Sequence, residues 1–455
     1  MKNKKILIFI LMIIKYNLSS YLIYPFKQNE YNNLTNPKDI YYYLKSLEFY
    51  TNLSVAEPIQ TITSFIDFTK FHFYISNVTS NREYLIEKSE SFNTKYDHDF
   101  ILLTYSFVEG KYANETLIVA SQDINSTNGE IIKIKNFTFT MPSKYTIKNR
   151  KMFPSSIGLG FYAYNSNQEL NFLMQLYMKK IINESYFFVD FDDDLSGNLY
   201  IGDLPHLINP EKYKFDKYTP IYTNIDSTLY EWSFRCDCSY NYMKEKNNSD
   251  DSINKKNMKI VLDLNLNGII LGISYFKVFN QTFFSEYLNN KICFMKKDDS
   301  LSYIYCDKDK VNIKKFKDIY FYQKDINYTF HFDYKDLFII KNDILFFNIF
   351  FDENDFTHLA NIGKIFFVKY LLVFNYDKKM IGFYTKSTDE NGLISGENLN
   401  IKIILIIFMI LLVIVLVVVL IKYLNKKSGR KIRKNELDED YDYTIQNNDD
   451  DDKNK

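Results

Sequence analysis

The chain predicts an all-β ectodomain set between an N-terminal signal peptide and a single C-terminal transmembrane helix. Composition is the first observation: 39 Tyr and 40 Phe stand beside only 13 Gly and 8 Pro, so strand-favouring side chains are abundant and flexible filler is scarce. The second is that β-branched and aromatic residues cluster in short runs, at residues 62–66, 71–76, 100–106, 116–120 and 131–140. The third is the rarity of helical periodicity. Its clearest case is residues 169–182, where Leu170, Phe172, Leu173, Leu176, Tyr177 and Ile181 share one face. The 56 basic and 56 acidic side chains cancel, leaving no global field that favours nucleic acid. Intrinsic disorder of the chain as a whole is excluded by an apolar content of 46%.

The ends set the compartment. Lys2, Lys4 and Lys5 precede an unbroken apolar run at residues 6–14, and Ser19 and Ser20 supply small residues where cleavage can occur. Residues 1–20 therefore read as a signal peptide. Residues 403–421 are uncharged and apolar, and at about 1.5 Å of rise per residue such a helix crosses most of a hydrocarbon core of roughly 30 Å. Lys422, Lys426, Lys427, Arg430, Lys431, Arg433 and Lys434 follow and hold that end in the cytosol. The expected topology is type I, in the secretory pathway or at the cell surface, with the ectodomain luminal or extracellular. Glycosylation sequons begin at Asn33, Asn52, Asn77, Asn114, Asn125, Asn136, Asn183, Asn247, Asn280 and Asn327, none of them beyond the anchor. The tail, residues 422–455, turns from basic to acidic and reads as disordered.

All four cysteines precede the anchor, where disulfides form. Cys293 and Cys306 are the expected pair, because Cys236 and Cys238 lie too close in sequence to bridge easily. Residues 244–257 are polar and read as a surface loop. The acids of residues 190–194 imitate a calcium loop, but Leu195 stands where the glycine belongs and Ile201 where the closing Glu belongs. A solvated turn is the expectation there. His72, His98, His206, His331 and His358 show no ligand spacing, so neither a metal nor any other cofactor is expected. Phosphate-loop and serine-hydrolase motifs are absent from the sequence.

Several segments, in order, resemble the pepsin-like aspartic proteases. Residues 50–60 are similar to the family's opening strand and residues 64–67 to the strand that leads to its first catalytic aspartate, which Asp67 matches. Residues 103–105 resemble the flap strand, with Tyr105 as the substrate-covering tyrosine, residues 156–161 the apolar strand beneath the active loop, and residues 197–202 a lobe-closing strand. Residues 260–263 resemble the second aspartate strand, ending at Asp263, and residues 361–383 the terminal pattern of the second lobe. Cys293 and Cys306 sit where the family often has a second-lobe disulfide. The resemblance implies a bilobal pepsin-like fold, with an N-terminal lobe at 49–205, a C-terminal lobe at 206–385, a short N-terminal segment at 21–48 and a linker at 386–402. At 21–48 that segment is short for an inhibitory prosegment.

The family's chemistry needs two carboxylates that share one proton, one taking a proton from water while the other donates to the peptide carbonyl. Both supporting triplets are altered. Asp67-Phe68-Thr69-Lys70 and Asp263-Leu264-Asn265-Leu266 replace hydroxyl residues that cross-link the loops with Phe68 and Leu264. Glycine gives way to Thr69 and Asn265. The expectation is strain at Thr69, a milder effect at Asn265, no interloop hydrogen bonds from Phe68 or Leu264, and an ammonium from Lys70 beside Asp67. The flap segment, residues 105–108, lacks the family's glycines and is expected to close poorly. One lost preorganised contact costs about 2.7–4 kcal/mol in an enzyme site. The resemblance thus implies a catalytically impaired pseudoprotease whose cleft binds an extended peptide or protein ligand. An active aspartic-type endopeptidase using Asp67 and Asp263, and a structural or adhesion module, are the alternatives.

Overall fold

A computed structural model describes residues 20–29, 34–76, 83–96, 107–123, 130–145, 155–161, 170–213, 218–222, 231–240, 253–354 and 358–384. The signal run, Tyr105 and the apolar run at 403–421 lie outside these residues. Among the described residues, no helix is long and apolar enough to cross a membrane.

Period-two alternation builds the strands. In Phe49–Val55 the residues Phe49, Thr51, Leu53 and Val55 are buried and Asn52 is exposed, as a strand with one face on a core requires. Ile319–Gln323 and Tyr328–Phe332 repeat the pattern. Two large sheets result. Among the described residues one holds 13 strands and the other 11, and the first is shared between the two halves of the chain. Ser20–Gln28 pairs with Ser196–Ile201, which pairs with Tyr186–Phe191, which pairs in turn with Leu372–Asn375. Met380–Tyr384 and Tyr218–Tyr222 complete that edge. Residues 20–28 are therefore a central strand joining the halves, and residues on both sides of position 205 build one sheet.

Most sequence-read strands appear and several run longer. Residues 116–120 and 131–140 lie within the long hairpin Phe107–Asp123 and Glu130–Tyr145. In residues 71–76 only Tyr74–Ile75 is a strand, although Phe71 and Phe73 are buried. The polar stretch at 244–257 is not wholly a loop, because the strand Ile253–Leu262 begins inside it. Within 169–182 the helix spans Phe172–Met178, and Asn171 caps it by accepting a hydrogen bond from the Met174 amide at 3.0 Å. A helix not anticipated from the sequence spans Pro37–Lys45.

Aromatic side chains fill the space between the sheets. Trp232 is fully buried against Phe161, Phe187 and Phe374, and its indole N–H donates to the Leu159 carbonyl at 2.7 Å, so its one polar group is satisfied.

Candidate functional site

The strand Gln60–Asp67 runs parallel to Ser155–Gly158, with Asp67 opposite Gly158. A side chain at Gly158 has no room: a Cβ there meets the His72 carbonyl oxygen at 2.5 Å. That close approach lets the Leu159 amide donate to Asp67 O at 2.8 Å and the Gly160 amide to Lys70 O at 2.7 Å, which fixes the loop that carries Asp67. Asp67 is 3% exposed. Its Oδ1 accepts from the Thr69 amide at 2.8 Å, the Thr69 hydroxyl at 2.7 Å and the Lys70 amide at 3.1 Å. Its Oδ2 forms an ion pair with Lys70 Nζ at 3.2 Å, and the ammonium also lies 5.9 Å from the centre of the Tyr74 ring. The expected pairing of Lys70 with Asp67 is thus present.

The second half repeats the arrangement. Ile253–Leu262 runs parallel to Leu359–Ile362, the Asp263 amide donates to Ile362 O at 3.1 Å, and Gly363 has no space for a Cβ, which would meet Leu266 O at 2.0 Å. Asp263 Oδ1 accepts from the Asn265 amide at 2.9 Å, the counterpart of the Thr69-to-Asp67 bond. Part of Asp263 reaches the surface, yet protein atoms crowd its carboxyl. Desolvation raises it to about 7, the Asn265 amide opposes that rise, and the charge of Asp67 adds to it. The two loops that carry the sequence-predicted acids thus lie side by side, with the charge of Asp67 bearing on the Asp263 carboxyl.

The side chains of Phe68 and Leu264 are hydrocarbon and make no hydrogen bonds across the loops. Phe68 is buried edge-on among Phe187, Phe367 and Phe374, and Leu264 is wholly buried. Two expectations are corrected. Thr69 does not bring strain: it is exposed, keeps a negative φ, and turns its hydroxyl onto Asp67. Asn265 is more than a tolerated replacement for glycine, since its side chain makes the interloop bonds. Its Oδ1 accepts from the Phe68 amide at 3.3 Å and its Nδ2 donates to Ile66 O at 3.1 Å, so it grips the backbone on both sides of Asp67. Sequence reasoning sought a hydroxyl at the second triplet position and passed over an amide at the third. The amide in place of glycine was the available signal.

Cys293 and Cys306 face each other across adjacent strands and form a disulfide, while Cys236 and Cys238 are free and buried. The acids at 190–194 form a turn stabilised by its own neighbours: Asp193 accepts from the Leu195 and Ser196 amides, each at 2.7 Å. Among the described residues no three metal-ligating side chains cluster. Desolvation lowers His72 to about 4, so this half-buried side chain is neutral near pH 7.

No protein-family model matches the chain, and no curated protein matches it. Solved structures do share its fold. An aspartic proteinase from Irpex lacteus superposes with a TM-score of 0.55 at 13% identity, covering 82% of this chain and 99% of the proteinase. Conglutin gamma, a basic 7S globulin from lupine seeds, gives 0.57 at 13% identity with 83% and 97% covered. Basic 7S globulin from soybean gives 0.54 at 12% identity with 81% and 98% covered. The fold is that of a pepsin-like protein, and at these identities the likeness speaks for the fold alone.

Proposed function

We propose that the chain is a type I membrane-anchored, pepsin-like protein of the secretory pathway or cell surface whose cleft holds an extended polypeptide and hydrolyses it poorly. The Lys70–Asp67 ion pair carries this reading. The carboxylate that must receive the attacking water already accepts three hydrogen bonds on one oxygen and faces an ammonium with the other, so few of its lone pairs are left to hold and orient that water. A pair of seated acids in a bilobal fold still offers a floor against which an extended backbone can lie. Asp263 favours a second reading, an active endopeptidase: with its carboxyl raised to about 7, it keeps a proton to donate at acidic pH.

Full-length chain in detergent micelles, mixed with random peptides between acid and neutral pH, separates these readings. Peptides retained intact and displaced by a statine-containing peptide support the proposal. New peptide termini formed by the wild type and not by Asp67→Asn favour the endopeptidase, and no retention at any pH favours a structural or adhesion module.

A further inference from the structure

Resting on the reading of Asp67 and Asp263 as the functional centre, we propose that residues 34–48 are a fixed third support of the acid pair, acting through Asn265 as a positioning residue. The helix Pro37–Lys45 is locally well specified: the Asn36 side chain accepts from the Asp39 amide at 2.9 Å, Pro37 opens the first turn, Asp39 lies at its N-terminal end and Lys45 at its C-terminal end. It docks on the second half of the chain. The Tyr41 ring stacks on Tyr303 at 4.3 Å and meets Phe350 edge-on, and Lys38 pairs with Asp298 at 3.3 Å.

The segment leaving this helix then runs along the second acid loop. The Leu47 amide donates to Asn265 O at 2.5 Å, the Asn267 amide donates to Leu44 O at 2.9 Å, and Asn265 Nδ2 reaches Leu47 O at 3.3 Å. Both donor hydrogens of the carboxamide are used. Its two N–H groups serve Leu47 O and Ile66 O, and its oxygen takes the Phe68 amide. A hydroxyl has a single donor hydrogen and could serve only one of those carbonyls, which gives a chemical reason for Asn at this position.

A second contact reaches the same loop from behind. Gln28 Nε2 donates to the Tyr43 hydroxyl at 2.6 Å, buried Lys364 Nζ donates to Gln28 Oε1 at 3.1 Å, and the Lys364 amide donates to Leu266 O at 2.7 Å. Residues 34–48 therefore cannot lift away like a removable lid without releasing the backbone beside Asp67.

Two ligand-free measurements test this, so they can fail independently of polypeptide binding. In the full chain labelled with carbon-13 at aspartate carboxyls, Asn265→Ala is expected to lower the titration midpoint of Asp263 by roughly half a pH unit or more, as Asp67 moves off, with Asn265→Ser intermediate. An unchanged midpoint in folded Asn265→Ala overturns the proposal. In the wild type, the Leu47, Phe68 and Asn267 amides are expected to exchange with solvent deuterium through one shared opening, at protection factors within about threefold. Phe68 protected while Leu47 and Asn267 exchange on the order of a hundredfold faster overturns it as well, and this second measurement decides the matter if the variants do not fold.

Discussion

A carboxylate acts as a base only through lone pairs it has to spare, and Asp67 has few. Three donors share its Oδ1 and the Lys70 ammonium stands 3.2 Å from its Oδ2. Lys70→Ser keeps a polar side chain and removes the charge, so hydrolysis of a mixed peptide substrate is expected to rise by about tenfold or more, read as new amino termini per hour. Lys70→Arg is expected to give no such rise. Phe68 is the opposite kind of residue, buried among three aromatic rings, and Phe68→Ala should cost about 3–5 kcal/mol in denaturant unfolding. The sequence made both acids, Lys70 and the loss of loop-bridging hydroxyls legible, because these are identities at fixed positions in a short motif. It did not reveal Asn265 as their substitute. Whether an amide at the third position reaches across depends on the spacing of the two loops, which only the fold determines.

Strands announced themselves where one face is buried and one is wet, as in Phe49–Val55. Where both faces are covered the alternation disappears, and the end of a strand such as Ile253–Leu262 hid within a polar stretch. The helix Pro37–Lys45 was missed although Asn36, Pro37 and Asp39 form a recognisable start signal. Its buried face is Ile40, Tyr41, Tyr43 and Leu44, and in a chain so rich in tyrosine that pattern did not stand out. Asn36→Ala removes the cap and is expected to lower unfolding stability by about 1 kcal/mol. The cross-strand disulfide Cys293–Cys306 was legible from cysteine spacing and from the family resemblance. Replacing both cysteines by alanine is expected to cost about 3 kcal/mol in chemical denaturation, with the strand pairing Cys293–Asp298 to Leu301–Asp307 exchanging faster.

At the scale of the molecule, the shared sheet joins both halves, so disturbance at the acid pair should be felt in global stability. Asp263 is raised to about 7 from an ordinary value of 3.8. The folded chain therefore binds more protons at this group than the unfolded chain does between these values, and this contribution is present in full below pH 3.8 and lost as pH rises through about 7. His72, lowered to about 4 by burial, works against it over much of that window, since its folded form is neutral and is favoured as pH rises. The difference between wild type and Asp263→Asn isolates the acid: wild-type stability should fall relative to the variant from mildly acid to neutral pH, by no more than about 1.4 kcal/mol per pH unit.

Hydrolysis in heavy-oxygen water tests the central claim most directly, because every peptide bond cut leaves a labelled carboxyl terminus that mass spectrometry counts. Full-length wild type and Asp67→Asn, incubated with the same peptides at acid pH, are predicted to label them equally slowly, near the background without protein. Rapid labelling by the wild type, abolished in Asp67→Asn, would contradict the account and make the chain a working endopeptidase despite Lys70.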